Sequence, residues 1–77
     1  MNKKMRQIIE MSMNKLEDEK AKLQELWDEL QESYDNHSEA WQESEKGDEM
    51  QEELDLFDEC ISNLDSAIDN LTELYDR

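Results

Sequence analysis

Proline is absent from this sequence and glycine occurs once, at Gly47, inside the stretch WQESEKGDEMQEEL. Little in the chain therefore interrupts a helix, and the single glycine marks the one place where a break is expected. Cysteine also occurs once, at Cys60. An internal disulfide is excluded, in agreement with a reducing compartment. No run of 18 apolar residues is present, so no stretch qualifies as a membrane span. The longest early apolar stretch, in MRQIIEM, is interrupted by Arg6 and Glu10 and makes no signal-peptide core. The expected setting is the cytoplasm.

Bases are few as well. The 77 residues hold 23 acids against 8 bases, a formal charge of -15, with 35% hydrophobic and 40% charged residues. That balance approaches the disordered regime, where only strong helical periodicity argues for order. The charge is uneven. Residues 1–22 carry six bases against four acids, whereas residues 23–77 carry 19 acids against Lys46 and Arg77 alone. At this length one domain is the most that fits, and a single chain of this size builds only a thin core.

The required periodicity is present. Ile9, Met13, Leu16, Leu23, Trp27, Leu30, Tyr34 and Trp41 recur in an unbroken alternation of four and three, with Lys20 and His37 filling the two gaps. Met50, Leu54, Phe57, Ile61, Leu64, Ile68, Leu71 and Tyr75 repeat the pattern without a polar intruder. Two heptad seams joined by a break predict an all-α antiparallel helical hairpin, coiled-coil-like, with a longer first helix.

The expected boundaries are helix one over about 3–45, a turn at about 46–48 and helix two over about 49–76. Gly47 would end the first helix in a left-handed conformation, and Lys46 would suit its C-terminal dipole. Asp48, with Gln51 three residues on, reads as a capping box opening the second helix.

A reversal at Gly47 sets Leu30 beside Leu64, Trp27 beside Ile68 and Tyr34 beside Ile61. At ~1.5 Å per residue the arms would run to about 60 and 40 Å. An N-terminal overhang carrying Met5, Ile8, Ile9, Met13 and Leu16 would then lack an internal mate. Cys60, Ala67 and Leu74 widen the apolar face of the second helix. Both features predict pairing into a dimeric four-helix arrangement, or a partner docked on the overhang.

Candidate chemistry is sparse. His37 falls on the seam near the turn, and neither Glu-x-x-His nor His-x-x-x-His spacing accompanies it, so it reads as a half-buried seam residue with no metal to hold. Cys60 has no activating base in the sequence around it and reads as packing. The aromatic residues sit on the seams as core, with Trp41 and Tyr75 the ones placed to double as binding anchors. No calcium loop of the DxDxDG type occurs. Catalytic, cofactor and metal sites are therefore expected to be absent, and the chain is expected not to be an enzyme.

The carboxylates are the remaining candidates. Glu25, Asp28, Glu32, Asp35 and Glu39 form one ridge opposite the first seam, and Glu52, Asp55, Asp58, Glu59, Asp65 and Asp69 form rows on the second helix. Like charges three or four residues apart on a helix are ~5–6 Å apart and cost a few tenths of a kcal/mol each. Such rows either keep a helix soluble or imitate the phosphates of DNA in a protein groove built to bind them. The total charge argues against direct nucleic-acid binding. Glu10 and the acidic continuation argue against an anionic membrane for the basic N-terminal stretch.

Ser38, Glu39, Trp41, Gln42, Glu43, Ser44, Glu45, Lys46 and Gly47 together resemble a block found in small acidic proteins of bacteriophages and prophages. Ala40 departs from the pattern, which more often has a basic residue there. The resemblance implies a viral or mobile-element origin, an inhibitor of a host nuclease or defence protein as the role, and the host cytoplasm as the place. The alternative is a structural or assembly coiled coil acting through its seam and overhang.

Overall fold

A computed structural model describes residues 1–77 as three helices, α1 (Lys3–Asn36), α2 (Glu39–Gln42) and α3 (Glu45–Asp76). The architecture is all-helical. Two long antiparallel helices, α1 and α3, pack along a body of 58 × 15 × 13 Å, and the single-turn α2 joins them.

The seams lie where the heptads place them. In α3 the first seam position of the heptad is buried at Gly47, Leu54, Ile61 and Ile68 and half-buried at the last, Tyr75. The second, at Met50, Phe57, Leu64 and Leu71, is only half-buried. On α1, Ile9, Met13, Leu16, Leu23, Trp27, Leu30 and Tyr34 are all half-buried against it. The core is thin, with Leu54 at 2% exposure its most enclosed member.

The turn departs from the sequence expectation. Helix α1 stops at Asn36, short of residue 45, because His37 and Ser38 are both extended, with ψ of 157° and 156°. Ser38 caps α2 by accepting from the Trp41 amide, and Ser44 caps α3 by accepting from the Gly47 amide. The helix start expected at Asp48 is therefore displaced four residues upstream to Ser44, a simple N-cap and no capping box, since the residue three positions on is Gly47. Lys46 lies in the first turn of α3, where the dipole does not favour a base, rather than at the end of α1. Serine makes both breaks here by giving each helix start an acceptor for its unpaired amides.

Gly47 has no positive φ and ends no helix. It sits inside α3 and is buried. A Cβ built on it would overlap the Gln42 carbonyl and come within 2.5 Å of the Trp41 oxygen. Glycine is required here for close approach of two backbones, the other reason a chain keeps this residue.

Moving the corner upstream moves the register. A reversal at Gly47 would set Lys20 opposite Leu74, but Lys20 Nζ lies 2.5 Å from Asp65 Oδ1, and Arg6 lies over the ring of Tyr75, 5.7 Å from its centroid. In this register Leu23 shares a hollow with Phe57 and Cys60, and Leu30 one with Glu53 and Phe57, in place of the expected Leu30–Leu64, Trp27–Ile68 and Tyr34–Ile61 pairs. The arms are nearly equal, 34 and 32 residues. The long N-terminal overhang does not exist, since α3 reaches back to Arg6.

Replacing Gly47 with alanine is expected to lower stability by ~1–3 kcal/mol through steric overlap, against the ~1 kcal/mol gain that alanine brings to an ordinary helical site. Urea unfolding of Gly47→Ala beside Leu54→Ala, for which a loss of ~2–5 kcal/mol is expected, decides whether the corner is a packing constraint of the same order as the core.

Candidate interaction surfaces

The corner itself is a compact hydrogen-bonded unit. Gln42 Nε2 donates to the carbonyls of Tyr34 at 2.8 Å and His37 at 3.3 Å, closing the last turn of α1. The His37 ring stacks on Trp41 with centroids 3.6 Å apart and planes 17° from parallel, and Tyr34 meets Trp41 edge-on at 6.4 Å. His37 Nδ1 lies 2.6 Å from the Ser33 carbonyl. A carbonyl only accepts, so Nδ1 carries the proton in that bond. Ser44 Oγ donates to the Trp41 carbonyl. Ser38, Trp41, Gln42, Ser44 and Gly47, the uncharged residues of the block singled out in the sequence, thus each have a place in the corner. Trp41, half-buried under His37, is held there as packing.

Two flanks run the length of the hairpin, and they differ. One is defined by the Lys20–Asp65 pair, with Glu17 Oε2 3.9 Å from the same Nζ. The hydrogen bond to Asp65 raises the Lys20 pKa above its ordinary 10.5, reinforced by the charges of Asp65, Glu17 and Asp69 and opposed by partial burial. The other flank is defined by shallow hollows that draw on both helices, one lined by Leu23, Leu56, Phe57 and Cys60 and the next by Leu26, Leu30, Ser33 and Glu53.

Helix geometry distributes the acids between them. Glu25, Asp28, Glu32 and Asp35 of α1 and Glu52, Asp55, Asp58, Glu59, Asp65 and Asp69 of α3 lie on the Lys20 flank or the outer faces next to it, and all are exposed. Asp28, Asp35 and Asp55 each accept from a glutamine one turn earlier, from Gln24, Gln31 and Gln51. Asp65 is the only one of these acids in a salt bridge. Glu39 stands apart on α2 at the corner. Of the 23 acids in the chain, heptad spacing puts ten on the Lys20 flank, four (Glu19, Glu29, Glu49 and Glu53) on the opposite flank and seven on the outer ridges between them, while Glu39 and Glu43 belong to the corner.

The expected apolar contact residues divide. Ile9, Met13 and Leu16 are half-buried in the seam, whereas Met5 and Ile8 are exposed, at 49% and 54%. Leu26 and Leu56 were not singled out as contact residues, although their spacing beside the seam, one position before Trp27 and Phe57, was a usable signal, whereas Cys60, read as widening the apolar face of the second helix, is exposed next to them.

No group of three or more histidine, cysteine or acidic side chains converges where a metal ion could be held. No helix is long and apolar enough to cross a membrane. Compared with protein-family models, curated proteins and solved structures, the chain matches none.

A lysine whose folded pKa is raised contributes stability that is complete below the unfolded value and is lost as pH rises through the folded one. Lys20→Met is therefore expected to be less sensitive than the parent to a rise from about pH 9 to about pH 12. Urea midpoints of both proteins at the two pH values read the difference, and equal losses would remove Lys20 as a source of alkaline instability.

Proposed function

We propose that this protein is a non-enzymatic interaction module that offers its acidic side to the nucleic-acid-binding groove of a partner protein, such as a host nuclease or defence protein, in the manner of a DNA mimic. One observation carries the reading: heptad spacing puts ten of the 23 acids on the Lys20 flank against four on the other, with seven more on the outer ridges between the flanks, and Lys3 and Lys4 are the only bases on that flank and those ridges outside the seam. Charge needed only for solubility has no reason to be one-sided.

The dimensions support it. At one charge per ~3.4 Å along each strand, a face of 58 Å has the length of about 17 base pairs. The acids form ridges on two helices whose axes lie ~8–10 Å apart in ordinary helix packing, a separation on the scale of the DNA grooves, about 6 and 12 Å wide. The resemblance of the Ser38–Gly47 block to proteins of bacteriophages and prophages is consistent with an inhibitor acting in a host cytoplasm. Its uncharged residues are occupied in building the corner, so the block supports a shared fold more directly than a shared target.

The quaternary form included in this reading is a homodimer, two hairpins making a four-helix bundle. An assembly role through apolar contacts is the second reading, favoured by the exposed Met5, Ile8, Leu26 and Leu56. The seam is only partly open to it, because α3 packs along it within the hairpin.

Affinity capture from the producing host, with duplex DNA as competitor, tests the proposal. The captured partner is expected to be a nucleic-acid-binding protein released by DNA, with affinity falling by ~100-fold or more between about 50 and 500 mM salt. Reversing Glu25, Asp28, Glu32 and Asp35, or Asp55, Asp58, Glu59 and Asp65, to lysine is expected to abolish capture while the circular dichroism stays helical. Binding that survives about 1 M salt contradicts mimicry.

A further inference from the structure

The flank opposite the acids is electrically balanced. Its acids, Glu19, Glu29, Glu49 and Glu53, are matched by Lys15, Lys22, Lys46 and Arg77, so a molecule of formal charge -15 has one side that a copy of itself can approach without net repulsion. It is also the side on which the seam stays open. Phe57 and Leu64 are half-buried, and Leu26 and Leu56 are 48% and 66% exposed above the hollows that Leu23, Phe57 and Cys60 line.

The charges are ordered along the axis. Lys15, Lys22 and Arg77 outweigh Glu19 toward the open end, and Glu29, Glu53 and Glu49 outweigh Lys46 toward the corner, with the apolar group of Leu26, Leu56 and Cys60 between them. Lys22 is bridged to Glu19 and Arg77 to Glu73 within their own helices, whereas Lys15, Lys46, Glu29, Glu49 and Glu53 have no salt bridge within the chain.

We infer that a second copy of this chain docks on this flank, antiparallel, about a two-fold axis that passes beside Leu26, Leu56 and Cys60. This rests on the dimeric part of the functional reading and gives it a face and a direction. An axis there brings Lys15 toward the partner's Glu49 and Glu53, and Lys22 toward the partner's Glu29, each twice by symmetry. A parallel alignment would set like charges on like. Leu26 and Leu56 of each copy enter the hollows of the other, covering the half-open seam. The 58 × 13 Å outline is on the scale of the ~800 Å² per partner that a standard interface needs. The acidic sides then face outward in both copies. A hairpin with so few buried side chains gains in this way the extra burial that small folds require.

Sedimentation of the full chain from about 1 to 100 µM in ~150 mM salt is expected to give twice the monomer mass of 9.3 kDa. Leu56→Asp is expected to weaken the dimer by ~100-fold or more. Since that variant could also lose helix, a charge cycle accompanies it. Lys15→Glu is expected to weaken association by ~10-fold, and adding Glu49→Lys to restore it. Mild oxidation is expected to link the parent through Cys60 and to fail in Leu56→Asp. A monomeric mass across the range overturns both the dimeric reading and this interface. A dimer indifferent to Leu56→Asp and to Lys15→Glu overturns the interface and leaves the dimer. Competition with DNA at the acidic side reads out separately in every case.

Discussion

The close approach of the α3 backbone at Gly47 to the carbonyls of Trp41 and Gln42 is the constraint from which the other geometry follows. With no side chain at this point, α3 starts directly against the end of α2, and its first seam position is a backbone contact. That start fixes which residue of α3 lies beside each residue of α1. Once Lys20 meets Asp65 and Arg6 lies over Tyr75, the two arms come out nearly equal and the apolar N-terminal residues of the seam have an internal partner. A side chain at Gly47 would have to push the two helices apart or slide one along the other, and either move changes every layer down to the open end.

The same register gives the molecule its two unlike sides. In an antiparallel pair, residues flanking the seam on one edge of α1 face the corresponding edge of α3, so two ridges that each helix could have pointed anywhere are brought together. Ten acids of the two helices flank the seam on the Lys20 edge, and the apolar and balanced residues gather on the other. Repulsion among neighbouring carboxylates is tolerated because nearly all of them are exposed, where water and salt screen them. The one strong contact, between Lys20 and Asp65, sits at the boundary between the seam and the acidic side. The proposed mimicry and the proposed self-association therefore draw on different surfaces, so each is open to substitution without touching the other.

Most of the helical architecture was legible in the residues. Heptad spacing identified the seam positions from Ile9 to Tyr34 and from Met50 to Tyr75, because burial on a helix follows a period that sequence displays directly, but it carried the first seam on through His37 to Trp41, which lie in the corner, and left out the buried Gly47. The corner was harder to read. Gly47 drew attention as the single glycine, and the conformational reason for glycine at a helix end took precedence over the steric reason for glycine at a close contact. Ser38-Glu39 and Ser44-Glu45, a repeated helix-start signal six residues apart, marked the two breaks more directly. Extended backbone at His37, held by its contacts to Ser33 and Trp41, leaves no comparable trace in composition.

Sequence alone determined that the chain is two long amphipathic helices, which residues enter their seam, and that the charge is overwhelmingly acidic beyond residue 22. These are properties of single helices and of composition, fixed by the period of the backbone and the count of side chains. Which residues of one helix lie beside which of the other was decided only in three dimensions, and with it the length of the free arm and the separation of acidic from neutral sides. That choice depends on a contact between backbones and on a corner closed by Gln42 and Ser44, neither of which a heptad pattern encodes.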